Sequence, residues 1–273
     1  MIHSFIPPDR FFAYLTWQEI AAMPNKANVA IVQPMGAIEQ HGAHLPLVVD
    51  SAISMGVLGK ALEKLEPEIP AYSLPPLYYG KSSEHDDFAG TITLTTQTML
   101  AVLTDVAESI YRAGFRKLVL MNSHGGQPQI LELVARDIHQ KYPDFMVFPL
   151  FTWRVPHVAA EFLTAKEMEL GIHGGDAETS LMLSLLPDRV HMDKAITEYP
   201  HGLPQHSLLS MEGANPFAWV TRDLSKSGVL GDPTVATKEK GDRLLDSLAD
   251  SWAQLIRDIY HFQQPQAWRE ASH

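Results

Sequence analysis

The chain has no cysteine. That excludes disulfides, thiolate ligands and a thiol nucleophile, so any bound metal must be held by oxygen and nitrogen. Positive charge is scarce: 21 Lys and Arg stand against 32 Asp and Glu, for a formal net charge of −11. Nucleic acids and anionic membranes both demand a basic face, so neither is expected as a partner. No apolar run approaches the length of a membrane span. The first ten residues lack the basic start and apolar core of a signal peptide, and a cytoplasmic address is the expectation. Neither Gly-x-Ser-x-Gly nor Gly-x-x-x-x-Gly-Lys occurs. A serine-hydrolase elbow and a P-loop are therefore unsupported.

The chain is rich in apolar residues, 45% of 273, enough for one large α/β domain expected to span 1–273. Strand-like and helix-like stretches alternate along it. Short apolar runs at 29–32 and 117–121 suit buried strands, and 91–95 and 145–151 read as two more. Helical stripes cover 51–65, 96–112, 129–140 and 237–262, with Gly114 placed to end the second. The last stripe sets Leu245, Leu248, Trp252, Leu255 and Ile259 on one face. Residues 70–80 read as turns. Such alternation predicts parallel strands with helices on both faces. Residues 197–235 show little periodicity, and so long an irregular stretch points to a functional or intersubunit segment.

Chemistry gathers at the expected strand ends. Glu39, His41, His44 and Asp50 follow the first strand within a dozen residues, where open α/β sheets place ligand sites. Glu39 and His41 are two apart and would share a side of an extended segment. Carboxylates with imidazole suit zinc, manganese or iron. Asp50 also suits the plainer role of a helix N-cap. His124 follows the 117–121 strand, with Gly125 and Gly126 letting backbone approach its ligand. A third cluster, His173-Gly-Gly-Asp176-Ala-Glu178-Thr-Ser, opens an apolar helix. There Asp176 suits an N-cap, and Glu178 is either first-turn decoration or a carboxylate aimed at the site. His85 lies just before the 91–95 stretch.

These segments resemble the creatininase (creatinine amidohydrolase) family. The likeness is carried by Glu-Gln-His-Gly-x-His-Leu-Pro-Leu from Glu39 with Asp50, by His85-x-x-Phe-x-Gly-Thr, by Asn122-x-His-Gly-Gly, and by His173-Gly-Gly-x-x-Glu-Thr-Ser. Gly228 to Gly241 resembles the family's C-terminal signature. The resemblance runs in order over roughly residues 15–245. It implies a three-layer α/β/α sandwich with a mostly parallel sheet, two divalent metal ions per subunit (Zn2+, Mn2+ or Fe2+), and a homohexamer built as a trimer of dimers. Carried over by position, Glu39, Asp50 and His124 would bind one ion, and His41 and Asp50 the other, with Asp50 bridging. His173 would be catalytic or orient substrate. His85, Gly125, Gly126 and Trp153 would line the substrate site.

Two departures stand out. Creatininase has a Glu where this chain has Gly126, so the second site is expected to be looser, empty, or completed by another group, for which Glu178 is the candidate. It also has a Trp lid where this chain has Glu169. The expected reaction is metal-assisted hydrolysis of a C–N bond in a small cyclic amide or formamide, with metal-held hydroxide as nucleophile and His173 or Glu178 as proton carrier. Rival readings are a lactone hydrolase or isomerase of sugar-like rings, and a non-catalytic metal- or ligand-binding protein.

Overall fold

A computed structural model describes residues 2–203 and 208–264. In chain order the elements are α1 (Trp17–Ala22), β1 (Ala30–Met35), α2 (Val49–Glu63), β2 (Ala71–Ser73), α3 (Thr96–Arg112), β3 (Lys117–Asn122), α4 (Pro128–Lys141), β4 (Met146–Phe151), α5 (Ala165–Leu170), α6 (Asp176–Leu185), α7 (Thr221–Leu224) and α8 (Lys238–His261). The strands form a four-stranded sheet in the order β2-β1-β3-β4, and every pairing is parallel.

The sheet divides two apolar cores, as alternation along a strand requires. Ala30 and Val32 of β1 and Val119 and Met121 of β3 face a core with α2 and α8. Ile31, Leu118 and Leu120 face the other, with α3 and α4. The result is a three-layer α/β/α sandwich. Both faces of β1 and β3 are covered, which explains runs without polar alternation.

Local chemistry sets the helix ends. Thr95 accepts a hydrogen bond from Thr98 N at the start of α3, and Thr237 accepts one from Lys240 N at the start of α8. Gly114 follows α3 at φ +101°, a conformation that favours glycine. Helices α6 and α8 pack closely, because a Cβ on Gly241 would sit 1.8 Å from Ser180 O. Lys117 Nζ donates to Ile259 O at 2.8 Å and Tyr260 O at 2.6 Å, satisfying carbonyls at the end of α8.

Three local expectations need correction. Residues 91–95 form no strand: Ile92 makes a single antiparallel bridge to Ile38. The threonines there bind loop backbone instead, Thr93 Oγ1 accepting from Ser82 N at 2.7 Å. The 70–80 stretch holds a short edge strand, β2, which three residues cannot announce by periodicity. Neither Asp50 nor Asp176 is an N-cap; Val48 and Gly175 are, and both aspartates lie inside the first turn. The 197–235 segment is mostly irregular, with α7 its one α-helix among the described residues; 204–207 lie outside them.

Candidate metal centre

The chain runs from β1 outward to β2 and then returns to β3 on the other side, so strand order reverses between β1 and β3. That reversal opens a crevice at the carboxyl ends of the two strands, and the first two motifs leave from there. After β1, Gly36 allows the loop to press on α2: a Cβ there would lie 2.4 Å from Ser51 N. Glu39 is thereby brought beside Asp50 on α2. After β3, the Asn122 side chain pins the loop, accepting from His124 N at 3.1 Å and donating to His124 O at 2.7 Å.

Glu39, His41, Asp50, His124, His173 and Glu178 converge. Asp50 Oδ1 lies 3.7 Å from His41 Nε2, and its Oδ2 lies 3.7 Å from His124 Nδ1. His124 Nδ1 is 3.2 Å from Glu39 Oε2. His41 Nε2 is 3.8 Å from Glu39 Oε1 and 3.9 Å from Glu178 Oε2. His41 donates its other ring proton, on Nδ1, to Glu39 O at 3.2 Å, which leaves Nε2 as the group facing the carboxylates. His41 Nε2 and Asp50 Oδ2 are buried with no hydrogen-bond partner. Buried polar atoms ordinarily have one. Two donors each about 2.1 Å from one tetrahedral ion stand about 3.4 Å apart. The spacing here is that of atoms sharing ions, so the residues fit a divalent centre.

Electrostatics agree. Burial, then the charge of Glu39, pushes the Asp50 carboxyl up. Glu178 is pushed up to about 7 by burial, against the pull of His41. For His41 burial works against charge, but Asp50, Glu178 and Glu39 outweigh it and raise it to about 9. Three carboxylates in one buried cluster call for positive charge, which a divalent ion supplies more fully than imidazolium.

His173 stacks between His41 and His85, with ring centroids 4.1 and 4.2 Å away. Its Nε2–H donates to Gln40 O at 2.6 Å, and its Nδ1 faces Glu39 Oε1 at 3.8 Å. Its backbone pairs with Leu230, each N–H donating to the other's carbonyl, at 3.1 and 2.8 Å. This pairing gives the Gly228 signature a purpose, since it holds His173 in place. Glu178 does not face solvent as first-turn decoration would: its Oε2 accepts from Gly174 N at 2.6 Å on the site side.

A cavity of about 800 Å³ opens over these residues, and Gly125, Gly126, His85 and Trp153 line it. His85 is only 3% exposed, and its Nδ1 lies 2.7 Å from Thr221 Oγ1. It borders the cavity mainly as support for His173. Glu169 is a correction: it is exposed and outside the cavity wall, while its neighbour Met168 lines it. The short α5 turns one of these adjacent side chains toward the cavity and the other toward solvent.

Three residues escaped the motif reading. Gln40 donates to Gly228 O at 3.0 Å and accepts from Gly42 N at 2.9 Å, joining the first motif to the last. Ser82 donates to Glu39 Oε2. Glu167 accepts from Asp176 N at 2.8 Å, Asp232 N at 3.0 Å and Tyr199 OH at 2.8 Å, bracing the His173-Gly-Gly turn. Gly171 and Gly175 leave room for it. Gln40 sat inside a quoted motif; Ser82 and Glu167 carried no local signal.

Comparison with known proteins decides the family. The profile of the creatininase family, described as creatinine amidohydrolase, matches residues 13–256. The chain belongs to the creatininase family. The relatives it matches are hydrolases. A creatinine amidohydrolase of Pseudomonas putida is 30% identical over 264 residues, 92% of this chain and 97% of that one. A mycofactocin precursor peptide peptidase of Mycobacterium tuberculosis is 32% identical over 233 residues, 83% of this chain and 84% of its own. A 3-dehydro-scyllo-inosose hydrolase of Thermotoga maritima is 24% identical over 271 residues, covering 93% and 84%. A manganese creatininase structure superimposes with a TM-score of 0.75 at 28% identity, covering 93% of this chain and 99% of that one. A variant creatininase of Zn–Zn type gives 0.73 at 29%, covering 92% and 98%.

Proposed function

We propose that this chain is a divalent-metal-dependent amidohydrolase that cleaves a C–N bond in a small cyclic amide or formamide-type substrate. The observation that carries the reading is Asp50, whose two oxygens each face a different histidine, 3.7 Å away in both cases. A carboxylate so placed could serve two ions at once. Glu39, Asp50 and His124 would hold one, and His41, Asp50 and Glu178 the other. When bound, the metal supplies Lewis acidity, bringing the pKa of water toward roughly 7 and polarising a carbonyl.

The side chains do the rest. His173 is locked by the Gln40 carbonyl as the Nε2–H tautomer, so its Nδ1 is the basic atom on the Glu39 side of the cluster. It can take a proton there and return it to the leaving nitrogen, a step that amide cleavage requires. Glu178, tethered to the Gly174 N–H, stands on the other side of His41 as the second-site carboxylate. Trp153 and the two glycines of the 122–126 motif shape the wall against which substrate rests.

The test is a panel of cyclic amides, formamides and lactones, assayed with and without chelator, beside the metal content of protein purified without added metal. Chelator-sensitive amide hydrolysis restored by Zn2+ or Mn2+ is expected. Lactone cleavage alone would favour the sugar-ring reading, for which the Thermotoga maritima relative is the support. Metal binding with no turnover would favour a binding protein.

A further inference from the structure

Gly126 stands where the creatininase pattern has a glutamate, and the space is not free. A Cβ built on Gly126 would lie 1.7 Å from Glu84 Oε1 and 2.5 Å from His124 Nε2. Glu84 therefore occupies, from a different loop, the place that a side chain at 126 would take. Its Oε1 is 3.2 Å from His124 Nε2, and that same nitrogen donates to Lys81 O at 2.9 Å. The opposite nitrogen, Nδ1, faces Glu39 and Asp50. Giving the Nε2–H to a carbonyl and a carboxylate leaves Nδ1 as the lone-pair donor, aimed at the ligand pair.

Glu84 is itself held firmly. Lys81 Nζ donates to its Oε2 at 3.1 Å, and the side chain is 12% exposed. Thr221 Oγ1 donates to its backbone carbonyl at 2.8 Å.

We propose that Glu84 is a positioning residue for the metal centre, filling the room left by Gly126 and, from behind His124, orienting the ring and strengthening Nδ1 as a ligand. The inference rests on the divalent-metal reading above. It accounts for a chain of this family that does without a carboxylate at 126: the negative charge comes from the side of the ring away from the ligands.

Zn2+ affinity decides it, measured on the full chain by competition with a chelating indicator, with melting temperatures of the metal-free proteins as a fold control. Glu84→Ala should bind Zn2+ about 10- to 100-fold more weakly. Glu84→Gln fills the space and keeps an oxygen acceptor for the Nε2–H but not the charge, and should recover only part of that loss. An unchanged affinity in a Glu84→Ala protein that melts like the wild type overturns the role of Glu84 and leaves the metal reading standing. Should Glu84→Ala fail to fold, Glu84→Gln, which keeps size and acceptor, decides it: weaker Zn2+ binding than the wild type supports the proposal, and equal binding overturns it. A wild type that binds no Zn2+ removes the metal reading, and this inference with it.

Discussion

Asp50 is the side chain with the most to lose. It sits in the first turn of α2 with one oxygen toward each of two histidines, and Oδ2 has no other partner. Asp50→Ala should therefore cost both ions, while Glu39→Ala or His41→Ala should spare at least one. Metal stoichiometry by mass spectrometry checks this, and an Asp50→Ala protein with full stoichiometry would rule out bridging. Glu178→Gln keeps shape and the bond from Gly174 but removes a charge and a proton acceptor. A fall in kcat of roughly 10² or more is expected, the scale of a lost acid–base group. Unchanged kcat and unchanged occupancy of both sites would return Glu178 to a structural role. Most residues of the cluster could be named in advance, because carboxylates and histidines beside glycines at strand ends are conspicuous. Glu84 and Ser82 were not, since each acts only through a neighbour that the fold supplies.

Between elements, the tightest joint described is that of α6 and α8. Gly241 leaves no room for a methyl group against Ser180 O. Gly241→Ala gains helix propensity but forces the helices apart, and overpacking of this kind costs about 1–3 kcal/mol. Thermal unfolding should show a lower Tm, and a raised Tm would mean that the joint gives easily. Glu198 ties the irregular segment together, accepting from Lys226 N at 2.9 Å and Ser227 N at 2.8 Å. Although burial opposes it, these bonds with those from Ser225 and Ser227 hold its carboxyl down at about 2, against an ordinary 4.5. A lowered folded-state pKa means that the contribution is full above about 4.5 and is lost as the pH falls toward 2. The stability gap between wild type and Glu198→Gln, followed by denaturant titration, should shrink across that window. A gap that stays constant would show that the charge is not what holds the loop.

At the scale of the molecule, the cavity argues about substrate. Its volume of about 800 Å³ falls in the range of roughly 300–1,000 Å³ that encloses drug-sized ligands. A single five-membered ring would fill little of it, and no aromatic side chain occupies position 169 to close down on so flat a molecule. Creatinine turnover should accordingly be weak, below the ~10 s⁻¹ typical of a dedicated enzyme, with larger amides preferred. Steady-state kinetics with creatinine against larger cyclic amides checks this. Glu169 itself is exposed and lies outside the cavity wall. Among the described residues no helix is long and apolar enough to cross a membrane.

The sequence alone determined what depends on near neighbours. Apolar runs marked β1, β3 and β4, helical stripes marked α2, α3, α4 and α8, and the motifs marked Glu39, His41, Asp50, His124, His173 and Glu178. Periodicity and turn chemistry act within a few residues, so they can be read in one dimension. Only the tertiary structure decided which loops meet. It placed Glu84 in the space above Gly126, set Leu230 against His173, and turned Asp50 from a plausible cap into a group facing two histidines. Those relations arise where the strand order reverses between β1 and β3, and they join residues whose distance along the chain bears no relation to their distance in space.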